Sequence, residues 1–270
     1  MKRKFRLCVI LLAIMTLFSG VPVRAAASNY IMGDYGSYII GGYRLKNNGS
    51  GLYSRKSAAG NWKKIASNVQ AFTSNGSVIY FTKNNYNYNS EQGNAHVYSA
   101  SVNGGRVKRI GIFKNRAIDG IYYYNNKLYL NERRGKHGIY ISEYSLRSRK
   151  YRKIRTGQIL DAYKNYGMYV KNSYYKWTEP LYSINLTTGK MKKLGANCYG
   201  HDTAGRYVYF VNYSKKTGVQ WNSGTFVVKR AVVSGSSVKT ITKKLYGKVR
   251  NITSKYVEYE NNGITKRAYY

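Results

Sequence analysis

The sequence predicts an all-β fold, a β-propeller of six blades whose last blade is incomplete. The composition is the first observation: the 270 residues include 31 tyrosines and 27 glycines but only 2 prolines. Tyrosine is enriched in strands, and glycine and asparagine mark the turns between strands. The hydrophobic fraction of 43% is ordinary for a folded domain, so the high charge does not predict disorder.

A repeated unit is the second observation. An apolar segment with a central tyrosine recurs at 77–81 (SVIYF), 127–130 (KLYL), 167–170 (GMYV) and 207–210 (YVYF). A second tyrosine segment belongs to each unit, as GLYS at 51–54, HVYS at 96–99, GIYI at 138–141 and PLYS at 180–183. A basic string then closes the unit, for example TGKMKKL at 188–194.

The period of the repeat is the third observation. Each unit spans about 40–50 residues and holds four strand signals separated by Gly, Asn and Ser, which is typical of a propeller blade. Five complete units run from residue 29 to 246, and a sixth, at 247–270, has only three strand signals. We therefore expect the last blade to lack its outer strand or to take one from the N-terminal segment, because closure removes exposed edges.

The units also resemble a domain family of secreted bacterial proteins of unknown function. The segments that carry the resemblance include GMYVKN at 167–172 and LYSINLTTGKMKKL at 181–194. That family has been likened to the propeller of low-density-lipoprotein-receptor-related proteins, and more loosely to TolB-like propellers. The resemblance implies a blade architecture, and it implies no activity and no functional residue.

The N-terminus has the composition of a secretory signal peptide. Four bases in MKRKFR precede the apolar run LCVILLAIMTLF at 7–18, and small residues then suit cleavage after Ala25, or as late as Ala27. An uncleaved anchor is the alternative, but the run is short for a span of about 20 residues. We expect a signal peptide at 1–25, a single propeller domain at 28–270 and an extracellular or cell-surface location, with no transmembrane span in the mature chain.

The charge of the chain is the main functional signal. The net charge is +36, and cleavage of the signal peptide removes five bases and leaves +31. Adjacent bases recur in the predicted fourth, outer strand of four units, and a further pair precedes a turn: Lys63 and Lys64, Lys108 and Arg109, Arg152 and Lys153, Lys192 and Lys193, and Arg133 and Arg134. Lysine on an exposed edge strand blocks pairing with other chains, which accounts for one or two bases a blade but not for the whole excess.

The excess of bases predicts binding to an anionic surface or polymer. Outside a cell, the candidate partners are a cell-wall polymer, anionic lipid headgroups and an acidic glycan. Aromatic residues lie among bases in NSYYKW at 172–177, so Trp177 is a candidate for stacking on a sugar ring. Ordinary packing at a blade edge explains this loop equally well. No nucleic-acid fold signature is present, which disfavours DNA or RNA, and a protein–protein scaffold is an alternative function.

No catalytic or metal-binding motif is evident in the sequence, so we predict a binding protein that is not an enzyme and needs no cofactor. Cys198, His201 and Asp202 are the one cluster with a catalytic composition, but neighbouring residues of a strand point to opposite faces. A buried cysteine beside a hydrogen-bonded histidine is the favoured interpretation. The alternative is a polysaccharide-active enzyme that uses the channel face of the propeller.

The aspartates follow a pattern of their own. All four lie in or near the predicted first strand of a unit, which lines the channel of a propeller: Asp34, Asp119, Asp161 and Asp202. Asp119, Asp161 and Asp202 are therefore candidates for a polar channel site that binds a cation or a basic group. The favoured alternative is that each aspartate ties neighbouring backbone N–H groups.

Overall fold

The structure is a computed structural model that describes residues 24–25, 30–32, 36–40, 42–48, 51–56, 59–87, 90, 92–135, 138–171, 178–215 and 223–270, with side chains from residue 42 onward. These residues form 24 strands and no α-helix. The all-β prediction is therefore confirmed. No helix in the described ranges is long and apolar enough to cross a membrane.

The strands fall into six successive antiparallel units, preceded by two short strands. The short strands are β1 (Arg24–Ala25) and β2 (Tyr30–Met32). Unit 1 contains β3 (Gly36–Ile40), β4 (Tyr43–Asn47), β5 (Leu52–Arg55) and β6 (Lys63–Ala66). Unit 2 contains β7 (Ala71–Ser74), β8 (Val78–Asn87), β9 (Gln92–Ser101) and β10 (Lys108–Lys114). Unit 3 contains β11 (Ala117–Tyr124), β12 (Lys127–Arg133), β13 (Ile139–Ser145) and β14 (Tyr151–Thr156).

The C-terminal half continues the series but fuses its sheets. Unit 4 contains β15 (Gln158–Tyr163), β16 (Tyr166–Val170), β17 (Glu179–Asn185) and the first part of β18 (Met191–Ala204). Unit 5 begins with the second part of β18 and continues with β19 (Tyr207–Tyr213), β20 (Gly224–Val232) and β21 (Lys239–Thr240). Unit 6 has only β22 (Leu245–Ile252), β23 (Tyr256–Asn261) and β24 (Ile264–Tyr269). Because β18 serves two units and β20 pairs with β22, units 4–6 form one ten-stranded sheet.

Turn chemistry explains the short connections within the units. Asn125 and Asn126 join β11 to β12 with φ of 48° and 56°, and Asn262 and Gly263 join β23 to β24 with φ of 51° and 74°. Two successive residues with positive φ form the hairpin turn whose twist matches that of the flanking strands. Asparagine tolerates this conformation better than other non-glycine residues do.

The core consists of five apolar clusters, one at each junction between successive units. Leu45 and Leu52 of unit 1 pack with Phe72 and Phe81 of unit 2. The other four clusters join units 2 and 3, 3 and 4, 4 and 5, and 5 and 6 in the same way. In the part of the chain that the structure describes, no such cluster joins unit 6 to unit 1.

The described strands of the N-terminal segment pair with units 1 and 3, and completion of the last unit by other N-terminal residues stays a prediction. Strand β1 pairs in parallel with β3 of unit 1, and β2 pairs antiparallel with β11, the first strand of unit 3. The free edge of β11 offers unpaired N–H and C=O groups, which a short segment can satisfy. Among the described strands, β24 pairs with β23 alone, so unit 6 keeps three strands. The predicted signal peptide covers residues of which only 24 and 25 are described, and it remains a prediction.

Candidate anion-binding surface

Each pair of adjacent bases in a fourth strand is divided between the two faces of that strand. In units 1, 3 and 4, the first base of the pair reaches the turn between the third and fourth strands of the next unit. A Cβ atom added to Gly104 would lie 2.8 Å from Cδ of Lys63, and one added to Gly235 would lie 2.9 Å from Cβ of Lys192. Arg152 donates to the backbone oxygen of Thr187, in the corresponding turn of unit 4, at 3.2 Å. These aliphatic stems therefore pack across the junctions while their charges stay exposed.

The second base of the pair lies beside the tyrosine of the third strand. The Nζ atom of Lys64 is 5.9 Å from the centre of the Tyr53 ring, and that of Lys153 is 3.6 Å from the Tyr140 ring. Lys193 is the cross-strand partner of Tyr182. Cation–π contacts of this kind contribute about 0.5–1 kcal/mol at exposed sites. The repeat of the fold thus explains the recurrence of the two-base motif.

Unit 2 presents its pair with fewer contacts. Lys108 and Arg109 are both exposed in β10, and Arg109 is the cross-strand partner of Tyr98. The Nζ atom of another base, Lys83, lies 5.5 Å from the centre of the Tyr98 ring. The charges of Lys108 and Arg109 remain available to a partner.

The ion pairs of the described chain are found in two units. Seven ion pairs of the described residues lie in units 3 and 6. Three of the candidate bases are in this group, because Arg133 pairs with Asp119 at 3.0 Å, Arg134 with Glu132 at 3.2 Å and Arg152 with Glu143 at 3.0 Å. The other seven candidate bases form no ion pair in the described ranges. One of them, Lys153, contacts the Tyr140 ring, which Arg134 also contacts. The candidate bases of units 1, 2 and 4 are therefore without a paired carboxylate in the described ranges.

Glu132 is the most enclosed of these acids, with a side chain that has no exposure. Its Oε2 atom accepts from Arg116 at 2.8 Å, from Arg134 at 3.2 Å and from the Tyr151 hydroxyl at 3.0 Å. Its Oε1 atom accepts from the Ser142 hydroxyl. Burial, together with the charge of Glu132, raises the pKa of Tyr151. Sequence reasoning did not single out Glu132, although its position within the apolar strand KLYLNER indicates a buried acid.

The three channel aspartates have separate local partners. Asp119 pairs with Arg133, and Asp161 accepts the N–H of Ala162 at 2.8 Å. Burial and the charge of Asp202 raise the pKa of Tyr270. No three acidic, histidine or cysteine residues in the described chain form a group that could hold a metal ion. The contact of Asp161 is of the kind expected for an aspartate that ties backbone N–H groups. Asp34 lies outside the described residues.

Cys198 has the properties of a core residue. Its side chain is fully buried, and burial raises the pKa of its thiol to about 12. A thiol with this pKa is protonated at neutral pH and is a poor nucleophile. The favoured interpretation of a buried cysteine is confirmed. Trp177 and His137 lie outside the described residues, and His96 Nδ1 lies 3.3 Å from the Tyr98 hydroxyl.

Unit 1 holds a cluster that sequence reasoning missed. Lys46, Arg55 and Trp62 lie beside Tyr53 on the face of unit 1 opposite the apolar cluster. The signal was present in the alternation of YRLKN and LYSR, because every second side chain of these strands points to the same face. The prediction considered bases in the fourth strands and near turns and did not use this alternation.

Solved proteins with a similar fold include two enzymes. An oligogalacturonate lyase in complex with manganese is 9% identical, with a TM-score of 0.53 over 88% of this chain and 76% of that chain. An acylaminoacyl peptidase from Pyrococcus horikoshii is 9% identical, with a TM-score of 0.54 over 80% of this chain and 39% of that chain. TolB from Acinetobacter baumannii is 12% identical, with a TM-score of 0.49 over 81% of this chain and 56% of that chain. No family model and no curated protein matches the sequence.

These likenesses show the fold alone, which is all-β and of the propeller type. They also correct one prediction. The expectation that the chain is not an enzyme is wrong as an inference from this architecture, because a lyase and a peptidase have a similar fold. At 9% identity the likeness does not show that this protein has either activity.

Proposed function

We propose that this protein is an exported six-bladed propeller that binds an anionic polymer of the cell wall or its surroundings. In this proposal, each of the six units is a blade, and the signal peptide directs the chain out of the cell. The binding surface is formed by bases on the outer strands of units 1, 2 and 4. They are Lys63, Lys64, Lys108, Arg109, Lys192 and Lys193.

One observation carries the proposal, namely that the fourth-strand bases of units 1, 2 and 4 are exposed and form no ion pair in the described ranges. The ion pairs formed by candidate bases all involve unit 3, so the fourth-strand bases of units 1, 2 and 4 keep their charge free of a paired carboxylate. Unmatched like charges destabilise a compact fold through repulsion, and a polyanion relieves that repulsion. A single exposed ion pair contributes only about 0–1 kcal/mol, so affinity must come from many contacts made at once.

Retention of the mature chain on immobilised polygalacturonate and polyphosphate, measured across a NaCl series, tests the proposal. We expect strong retention at low salt and release as salt rises. Near 1 M NaCl the screening length falls to about 3 Å. Retention that persists at this salt concentration would contradict binding through charge.

A pair of double variants tests where the polymer binds. Lys192→Gln with Lys193→Gln removes two unmatched bases, whereas Arg133→Gln with Arg152→Gln removes two bases that already pair with carboxylates. Both double variants lower the net charge by the same amount. We expect the first to weaken retention more than the second. Equal losses would show that only the total charge matters and would overturn the assignment of this surface.

A further inference from the structure

The face of unit 1 that points away from unit 2 is strongly basic. Alternation along β4 and β5 buries Leu45 and Leu52 against unit 2 and leaves Arg44, Lys46, Tyr53 and Arg55 on the opposite face. Trp62 and Lys64, just before and within β6, extend this face. No apolar cluster covers it in the part of the chain that the structure describes.

Cations and aromatic rings alternate across this face. Arg55 lies 4.4 Å from the centre of the Trp62 ring, and Lys46 lies 4.6 Å from the same ring. Lys46 also lies 5.3 Å from the centre of the Tyr53 ring, and Lys64 lies 5.9 Å from it. We call these five residues the unit 1 stack. The rings hold the three cations in place, which lowers the conformational entropy that a ligand would have to overcome.

The unit 1 stack has no internal counter-charge. None of Lys46, Arg55 and Lys64 forms an ion pair with a described residue, and neither does Arg44. Arg44 and Arg55 are direct cross-strand partners, and like charges in that position are destabilising.

Arg55 provides a second, independent indication of a ligand. Its Nε atom is buried and has no hydrogen-bond partner among the described residues. A buried N–H group of a guanidinium without an acceptor is costly, and an oxyanion is the acceptor that satisfies it best. Stacking on the Trp62 ring leaves the terminal Nη groups of Arg55 to meet an oxyanion first, next to the buried Nε–H that lacks an acceptor.

We infer that the unit 1 stack is an oxyanion subsite for the repeating acidic group of an anionic polymer. The carboxylate or phosphate oxygens accept from the N–H edge of Arg55, and Lys46 and Arg44 supply the remaining charge. Trp62 positions Arg55 and Lys46. This inference rests on the proposed polyanion binding and adds to it a defined site on one face of one unit.

Unit 6 is the other candidate occupant of this face, since a closed ring would place it there. Its two carboxylates are already engaged, because Glu258 pairs with Arg267 and Glu260 with Arg250. The bases of unit 6 would therefore add repulsion to the face of unit 1 and would not neutralise it. The charge balance favours an external anion.

Titration calorimetry of the full mature chain with short oligogalacturonate, with short polyphosphate and with neutral dextran tests the site. The test variant Lys46→Gln with Arg55→Gln is compared with Arg133→Gln with Arg152→Gln, which removes the same charge from bases of unit 3 that already pair with carboxylates. Losing a charge-assisted hydrogen bond corresponds to roughly a tenfold or greater loss of affinity. We expect a loss of that size for the test variant and a clearly smaller one for the control. The two acidic ligands distinguish a carboxylate from a phosphate preference.

Trp62→Leu leaves every charge in place and separates positioning from charge. We expect this variant to bind both acidic ligands more weakly than the wild type does. Neither the variant nor the wild type should bind neutral dextran. If the wild type binds neither acidic ligand, the proposed function itself fails. If the wild type binds but the Lys46/Arg55 and Trp62 variants match the unit 3 control, only the unit 1 subsite is overturned. A large fall in melting temperature with unchanged binding would likewise overturn the subsite and assign the face to a closed junction with unit 6.

Discussion

At the scale of single residues, Glu132 shows how this basic chain uses a scarce acid. The carboxylate is fully buried and serves two arginines, a tyrosine and a serine at once. Removing one partner of a buried charged network is costly because the remaining charges lose their counter-ion. Most bases in the described ranges have no such partner, so this network belongs to the structure of unit 3 and not to its free surface charge.

We predict that Glu132→Gln lowers the free energy of unfolding by about 2–3 kcal/mol, near the lower limit for a broken buried ion pair because both arginines keep some access to water. The measurement is urea denaturation of the purified chain followed by tyrosine fluorescence. Glu258→Gln is the matched control, since its ion pair with Arg267 lies on an exposed surface. Equal effects of the two substitutions would contradict the special role of Glu132.

At the scale of elements, the fourth strand explains the recurring two-base motif. Alternation sends the first base over the next unit's turn and the second toward the tyrosine of its own unit. In TGKMKKL, Leu194 is buried and Met191 packs against the cluster between units 3 and 4, while Lys192 and Lys193 are exposed. The motif therefore has a structural origin in the junctions between units, and its charged ends remain available for binding.

Two glycines with the same backbone conformation test the contact of Lys63 with the next unit. Gly104 and Gly42 both have φ of +77°, but only Gly104 lies under the Lys63 side chain, and no described atom lies within 4 Å of a Cβ placed on Gly42. Alanine in this conformation costs about 1–2 kcal/mol. We predict a larger loss of stability for Gly104→Ala than for Gly42→Ala in thermal unfolding.

The Lys63→Ala substitution provides the control for this comparison. In the Lys63→Ala background the Gly104→Ala variant meets no lysine stem, so its added cost should fall to that of Gly42→Ala. A cost that stays the same in both backgrounds would show that Lys63 does not pack on the turn.

At the scale of the whole molecule, buried tyrosines occur throughout the series of units. Burial raises the pKa of Tyr129 to about 12, and it also raises the pKa values of Tyr122, Tyr169 and Tyr213 above the usual value of 10.0. The thiol of Cys198 is shifted upward from 9.0 to about 12 for the same reason. These groups lose their protons more readily in the unfolded chain than in the folded one.

We therefore predict alkaline destabilisation of the fold. Because the folded-state pKa values are raised, their contribution to stability is complete below about pH 9 and is lost as pH rises from 9 toward 12. The urea midpoint should fall over this range, together with the appearance of tyrosinate absorbance. Tyr129→Phe should make the decline less steep. A midpoint that is constant from pH 9 to 11 would contradict the prediction.

The sequence by itself determined the all-β class, the repeat and the short last unit, because strand periodicity and turn residues are local properties. It also determined the recurrence of bases, since these follow the repeat. The order of strands within each unit could be predicted for the same reason.

Only the tertiary structure decided which bases remain unmatched, where the N-terminal strands pair and which residues form the unit 1 stack. Glu132 and its two arginines lie 16 and 2 residues apart along the chain, and β2 pairs with β11 about ninety residues later. The Glu132 network depends on how the strands of unit 3 pair, and the position of β2 depends on how the N-terminal segment packs against unit 3. Local sequence patterns do not encode that packing, because the same alternation suits a face that is covered and a face that is left open.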